Sequence, residues 1–195
     1  MGGNSLPRDC YAITKGFSKI DSDEHLLVYL INKFNLKNIA EIGVYGGNLT
    51  KKVMKDYKLD TYYCIDPWMP YSQFFGKENS SLKERTQKFW DGLYNRIINL
   101  QKIYPSIKIL QMTSVEGADQ IKDGSLDAAY IDAMHNYPNG KEDIQAFIPK
   151  IKSGGFICGH DYASTFRGLI KAVDEMLADS GKLHVLKDSN WYMQI

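Results

Sequence analysis

From residue 38 onward, short apolar runs of strand length alternate with segments whose apolar residues recur at helical spacing, and this alternation constrains the fold more than any other feature. Residues 38–42, 61–65, 107–110, 126–131 and 156–158 read as strands. Residues 48–57, 82–103, 115–121 and 141–148 read as the helices between them. After the fifth strand, Leu169, Ile170, Val173, Met176 and Leu177 form one apolar stripe of a further helix. Upstream, Asp21 to Glu24 offer caps to a helix carrying Leu26, Leu27, Leu30, Ile31 and Phe34. Strands joined through helices imply right-handed crossovers and a mostly parallel sheet covered on both faces, an α/β fold. The last two strands, 183–186 and 191–195, have no helix between them, and Asp188-Ser189-Asn190 supply turn chemistry, so they are expected to pair as a hairpin.

A chain of 195 residues has room for one well-buried core, so a single domain over 1–195 is expected. Within it, residues 1–37 read as an N-terminal helical extension and 67–82 as a lid over the substrate. No stretch approaches the roughly 20 apolar residues of a membrane span. The N-terminus has no signal-peptide core, and Leu6 stands where a myristoylation pattern needs Ser or Thr, so a cytoplasmic location and no membrane partner are expected. Charge is balanced, 24 basic against 23 acidic residues, which argues against a nucleic-acid binder. Lys51, Lys55 and Lys58 follow helical spacing and read as a solvated face. Cys10, Cys64 and Cys158 are odd in number, and two lie in strand-like runs, so reduced core thiols are expected.

The segment Ile39 to Thr50 runs from a strand through a glycine-rich turn into a helix. Gly43, Gly46 and Gly47 let the backbone turn tightly and a ligand approach without an intervening Cβ. The next strand ends in Asp66, a carboxylate placed to accept hydrogen bonds from ribose hydroxyls. A dinucleotide fingerprint would need glycine at position 45, where this chain has Tyr45. Glu41 would repel a pyrophosphate but favour a cofactor carrying a cationic amine and sulfonium. The fourth strand ends in Asp132 with His135 three residues on, and the fifth ends in His160-Asp161. Neighbouring parallel strands lie about 4.8 Å apart, so these side chains can converge at the carboxyl edge, where open α/β sheets bind ligands.

These stretches resemble class I S-adenosylmethionine-dependent methyltransferases, in particular the small family of macrocin-type sugar O-methyltransferases and relatives of catechol O-methyltransferase. The similarity is carried by Glu41 to Gly47, Cys64 to Trp68, Gly124 to His135, Gly154 to Tyr162 and Gly168 to Leu177. It implies a Rossmann-like three-layer sandwich whose seven-stranded sheet is mostly parallel with its last strand antiparallel. It implies S-adenosylmethionine held by Glu41, Gly43, Tyr45, Gly46, Gly47, Asp66, Thr113, Ser114 and Asp132. Within that set Gly43 and Gly47 would face the methionine part, Asp66 the ribose and Thr113-Ser114 the adenine edge. Asp132 and Asp161 match positions that hold a divalent metal in metal-dependent members, and His135 matches a histidine proposed as the base. Where such members often carry Asp, Glu or Asn beside the Asp161 position, this chain has His160. Imidazole suits transition metals better than magnesium, so the metal set Asp132, Asp161 and His160, with Mg²⁺ or Mn²⁺, is left open beside a metal-free site.

The expected function is therefore S-adenosylmethionine-dependent O-methylation of a small-molecule hydroxyl, a sugar or a phenol, with His135 and Asp132 catalytic. Pro67 to Tyr71 and Phe74-Phe75 put aromatic bulk beside the site, as an acceptor wall or as a homodimer contact. The alternatives are a nicotinamide-dependent oxidoreductase and a non-catalytic nucleotide-binding module on the same fold.

Overall fold

The computed structural model describes residues 25–70 and 85–195. Helix α1 (Leu26–Phe34) leads into β1 (Asn38–Ile42), α2 (Asn48–Asp56), β2 (Thr61–Ile65), α3 (Gln87–Ile103) and β3 (Ile107–Leu110). Then follow α4 (Ser114–Asp119), β4 (Leu126–Ile131), α5 (Tyr137–Phe147), β5 (Ile151–Gly159), α6 (Arg167–Leu177), β6 (His184–Val185) and β7 (Trp191–Gln194). The seven strands lie in the order β3-β2-β1-β4-β5-β7-β6. β1 to β5 are parallel, and β7 runs antiparallel to both of its neighbours. The fold class is thus the expected Rossmann-like α/β sandwich with an antiparallel last strand.

Alternation along the strands divides two cores. Ile39, Tyr62, Cys64, Tyr130, Phe156 and Cys158 pack with α1, α2 and α3, through Leu27, Val53, Trp90 and Ile97. On the other face Ala40, Ile42, Ile65, Ala129, Ile131 and Ile157 pack with α4, α5 and α6, through Ala118, Ile144, Phe147, Leu169 and Val173. Both faces being covered, β4 is buried at all six positions, the pattern of a central parallel strand. Cys64 and Cys158 are buried free thiols, as expected, and Cys10 lies outside the described residues.

Strands β1 to β4 begin and end where the sequence places them. Other elements depart from the reading, among them α3, which starts at Gln87 and not at residue 82, and β6, which keeps only His184–Val185 of 183–186. Helix α5 starts at Tyr137 and not at Lys141, because the Asn136 side chain accepts from the Asn139 amide and Pro138 sits in the first turn. β5 starts at Ile151 and not at Phe156: its register against β4 slips between Leu126 and Ala128, and Gly154, at φ +81°, carries the irregularity. α1 is capped by His25, whose Nδ1 accepts from the Leu27 amide; the caps expected at Asp21 to Glu24 lie outside the described residues. So do the first 24 residues of the extension and residues 71–82 of the lid, with Phe74 and Phe75. The terminal hairpin forms as expected, closed by Leu186 N–H donating to the Asn190 carbonyl. Among the described residues no helix is long and apolar enough to cross a membrane.

The register aligns Ile42 with Ile65 and Ile131, and Ile131 with Gly159. Gly43, Asp66, Asp132 and His160 therefore leave the sheet at one level, along its carboxyl edge. Chain order reverses between β1 and β4, the switch point at which such sheets bind ligands.

Candidate active site

The turn after β1 is locked by backbone bonds. The Gly43 amide donates to the Ile65 carbonyl at 2.9 Å, and the Asp132 amide to the Ile42 carbonyl at 2.8 Å. Gly43 has φ +87°, and a Cβ there would stand 2.1 Å from the Asp132 carbonyl oxygen. No other residue type fits where β1 and β4 close on each other. Asp66 holds the second turn: its Oδ2 accepts from the Tyr45 amide at 2.9 Å and its Oδ1 from the Trp68 amide at 2.8 Å. Burial pushes the Asp66 carboxyl above its ordinary pKa, against the pull of these amides. The Val44 amide also acts on this carboxylate, and a lone pair remains for a hydroxyl.

Beside these turns a cavity of about 730 Å³ opens between the sheet edge, α4 and α5. Of the sequence-designated cofactor residues, Gly43, Asp66, Thr113 and Ser114 line it. Glu41, Tyr45, Gly46, Gly47 and Asp132 are not on its wall. Glu41 faces the α2 side, where its Oε2 accepts from Thr50 Oγ1 at 2.6 Å and Tyr62 Oη at 2.7 Å. Burial raises its carboxyl to about 7. Gly47 caps α2 under Ile97, and the Tyr45 ring is turned outward, edge-on to Trp90 at 5.9 Å. Thr113 is the N-cap of α4 in a capping box with Glu116, which receives its hydroxyl proton.

The second group of designated residues converges. One ligand atom each from Asp132, His135 and Asp161 falls within 4.8 Å of the others. His135 Nε2 is 2.9 Å from Asp161 Oδ2 and 3.6 Å from Asp132 Oδ1. It lies off the line of either, so this buried nitrogen makes no hydrogen bond. Its ring packs on Phe166 at 4.4 Å between centroids. His160 stands outside this group and braces Asp161 from the other side, Nδ1 to Oδ1 at 3.1 Å. The imidazole of the cluster is thus His135, in the place the sequence reading gave to His160. That reading rested on chain neighbourhood; in space the turn after β4 carries His135 to both carboxylates, while His160 reaches only the other oxygen of Asp161.

Sequence reasoning missed the α5 contribution to the cavity, namely Asn139, Glu142, Asp143 and Gln145. For Asp143 a signal was present: it is a carboxylate on the buried stripe of Gly140, Ile144 and Phe147.

This layout matches known proteins. A family profile described as "Methyltransferase domain" covers residues 40–162, more than half of the chain. The chain belongs to this methyltransferase-domain family. The sheet-edge turns, Asp66, Asp132 and the start of Asp161's loop all fall inside the matched segment. A protein of Sinorhizobium fredii, named only as uncharacterized protein y4gI, is 23% identical over 141 residues, 69% of this chain. The chain spans 14% of that relative's length. Among solved structures, the O-methyltransferase NovP is 16% identical with a TM-score of 0.61, over 86% of this chain and 75% of its own. The calicheamicin methyltransferase CalS11 is 12% identical, also at 0.61, over 87% and 77%. Spermidine synthase of Thermotoga maritima follows at 15% identity and 0.51, over 81% and 52%. At these identities the structures share the fold, that of class I S-adenosylmethionine-dependent methyltransferases, and the chemistry has to be argued from the site.

Proposed function

We propose that this domain binds S-adenosylmethionine in the 730 Å³ cavity and transfers its methyl group to an oxygen of a small-molecule acceptor, a sugar or a phenol. The reading is carried by one observation. The Asp132, His135 and Asp161 group is contiguous in chain with Ala133 and Met134, which line the cavity, so a donor seated there ends beside groups able to activate a hydroxyl. In this reading Gly43 and the turn through Gly47 face the methionine part, Asp66 takes the ribose hydroxyls, and Thr113-Ser114 border the adenine. Glu41, behind the turn, contributes negative charge to the extent that it is ionised.

Methyl transfer from a sulfonium is an in-line displacement in which the acceptor oxygen forms a bond to the methyl carbon as the carbon–sulfur bond breaks. Alignment supplies most of the gain. His135 Nε2 takes the hydroxyl proton, a contribution of about 10² to 10⁴ in rate, and the Asp132 and Asp161 carboxylates stabilise the imidazolium. The same three residues fit a divalent cation, because an unbonded buried nitrogen faces two carboxylate oxygens. The imidazole favours manganese over magnesium. When bound, such an ion supplies Lewis acidity to the acceptor hydroxyl. One nitrogen cannot both ligate and accept a proton, so the two roles of His135 exclude each other. The exposed Tyr45 ring, 6.1 Å from Phe89, offers an acceptor ring an apolar wall.

Calorimetric titration with S-adenosylhomocysteine, in the presence of chelator and then of manganese, tests the reading. Binding in both conditions is expected, with no binding of a nicotinamide dinucleotide. Affinity for the dinucleotide alone removes the proposal. Heat from manganese that disappears in His135→Ala assigns His135 as a ligand; no heat removes the metal reading and leaves His135 available as the base.

A further inference from the structure

Asp143 is a buried carboxylate on the cavity wall. It is 2% exposed, on a stripe of α5 that is otherwise apolar, and it lines the cavity. Ser114 Oγ donates to its Oδ1, and its Oδ2 receives no hydrogen bond from a described residue. Burial raises the carboxyl to about 7, against the Ser114 bond and with help from Glu142. Oδ2 keeps some exposure to the cavity, so its donor has to come from there, from water or from a bound ligand. Ser114 has spent its proton on Asp143, and Thr113 has spent its own on Glu116. This end of the cavity therefore offers lone pairs and no committed donor.

We propose that Asp143, oriented by Ser114, accepts a hydrogen bond from the exocyclic amino group of the bound purine and so selects aminopurine over oxopurine ligands. The proposal rests on the S-adenosylmethionine reading above. An adenine amino group brings two N–H donors to this wall. A hypoxanthine base brings a carbonyl oxygen, which meets acceptors. Asn139 and Gln145 also border the cavity, but an amide can turn to give or accept and does not discriminate.

The test compares S-adenosylhomocysteine with S-inosylhomocysteine by calorimetry at about pH 8, where a carboxyl titrating near 7 is mostly ionised, in the wild-type protein and in Asp143→Asn. Asparagine has the same shape, keeps an oxygen for Ser114 and turns an NH₂ to the ligand. The ratio of the two affinities is read within one protein, so a smaller folded fraction does not move it. The expected result is a wild-type preference for the adenosyl ligand of about tenfold or more, abolished or inverted in Asp143→Asn. An equal affinity for both ligands in the wild type, or a ratio unchanged in Asp143→Asn, overturns the assignment while leaving the cofactor reading intact. A wild-type protein that binds neither ligand overturns both.

Discussion

Replacing Gly43 by alanine adds one methyl group at the point where β1, β4 and the cavity meet. Its Cβ would lie 2.1 Å from the Asp132 carbonyl oxygen and 2.7 Å from the Ala133 Cα, with the backbone at φ +87°. Left-handed backbone costs about 1–2 kcal/mol for a residue with a Cβ, and overpacking adds about 1–3 kcal/mol. Together these predict a loss of roughly 2–5 kcal/mol, which in a chain of this size lowers Tm by roughly 5–20 °C. The end of β4 must move by about 1 Å to reach ordinary contact, and a displacement of that size at reacting groups costs on the order of 10²-fold in rate. Gly92→Ala is the matched control: the glycine is exposed within α3, and nothing lies within 4 Å of the added carbon. There alanine should stabilise by about 0.5–1 kcal/mol through helix propensity. Differential scanning calorimetry and S-adenosylhomocysteine titration of both variants decide the matter. A Gly43→Ala protein that melts with the wild type and binds with wild-type affinity refutes the claim that this turn sets the site.

Two further outcomes concern the fold around the site. Asp127, at the opposite end of β4, accepts from the Lys37 and Asn38 amides at 2.6 and 2.8 Å and pairs with Lys152. Burial pushes its pKa up, but these donors outweigh it and hold the carboxyl below the ordinary range, so its contribution is present above about pH 4 and is lost on acidification. Asp127→Ala should cost about 3–5 kcal/mol in urea denaturation at neutral pH, with S-adenosylhomocysteine affinity unchanged in the folded protein; a loss below 1 kcal/mol, on the scale of an exposed pair, contradicts this. His25 is held neutral, its pKa lowered to about 4 chiefly by burial and then by His160 and Lys52. Neutral His25 therefore supports the fold above its unfolded pKa of about 6.5, and this support drains away as pH falls toward 4. Glu41 and Asp143, both raised to about 7, act in the opposite sense, losing stability as pH rises toward 7. The difference between wild type and His25→Gln, followed by urea denaturation from neutral pH down to pH 4, isolates the histidine. A constant difference across that range contradicts its burial as the neutral form.

The parallel strands were legible because both of their faces are buried. Unbroken apolar runs such as Leu126 to Ile131 admit few other readings, and the glycine turn and the carboxylates ending β2 and β4 mark the edge at which ligands bind. Local chemistry was legible only where a single residue decides it. Asn136 and Pro138 start α5 one turn early through a cap and a proline, signals weaker than the apolar period that sets its far end. β5 hides its first half because Gly154-Gly155 read as the opening of the strand, when a strand with one irregular register keeps its ladder on both sides of them. The place of His135 in the acidic cluster has a different origin: both imidazoles reach Asp161, but which of them also approaches Asp132 depends on the path of the 133–136 turn, and no spacing in the sequence encodes it. Asp143 was visible as a polar residue on an apolar stripe, but only the cavity beside it gives that anomaly a meaning.

Backbone strain ties these residues together. Five non-glycine residues among those described have positive φ, and two of them, Asn35 ending α1 and Ser189 in the hairpin, are ordinary uses of that conformation. The other three, Tyr45, Trp68 and Asp161, stand just beyond the carboxyl ends of β1, β2 and β5. Each costs about 1–3 kcal/mol and persists only where its surroundings over-determine it. Asp66 binds the amides of Tyr45 and Trp68, and the Trp68 indole donates back to the Tyr45 carbonyl at 2.9 Å, so two strained residues hold one another through one carboxylate. Asp161 lies between two imidazoles, His135 Nε2 at 2.9 Å from one oxygen and His160 Nδ1 at 3.1 Å from the other. Glycine would relieve all three positions, but each side chain is in use: the indole for its N–H, the phenol ring for its exposed face, the carboxylate for the cluster. The strain collects on one edge of the sheet because that edge is where a rigid arrangement of side chains is needed, and the regular ladders beneath it supply the stability that offsets it.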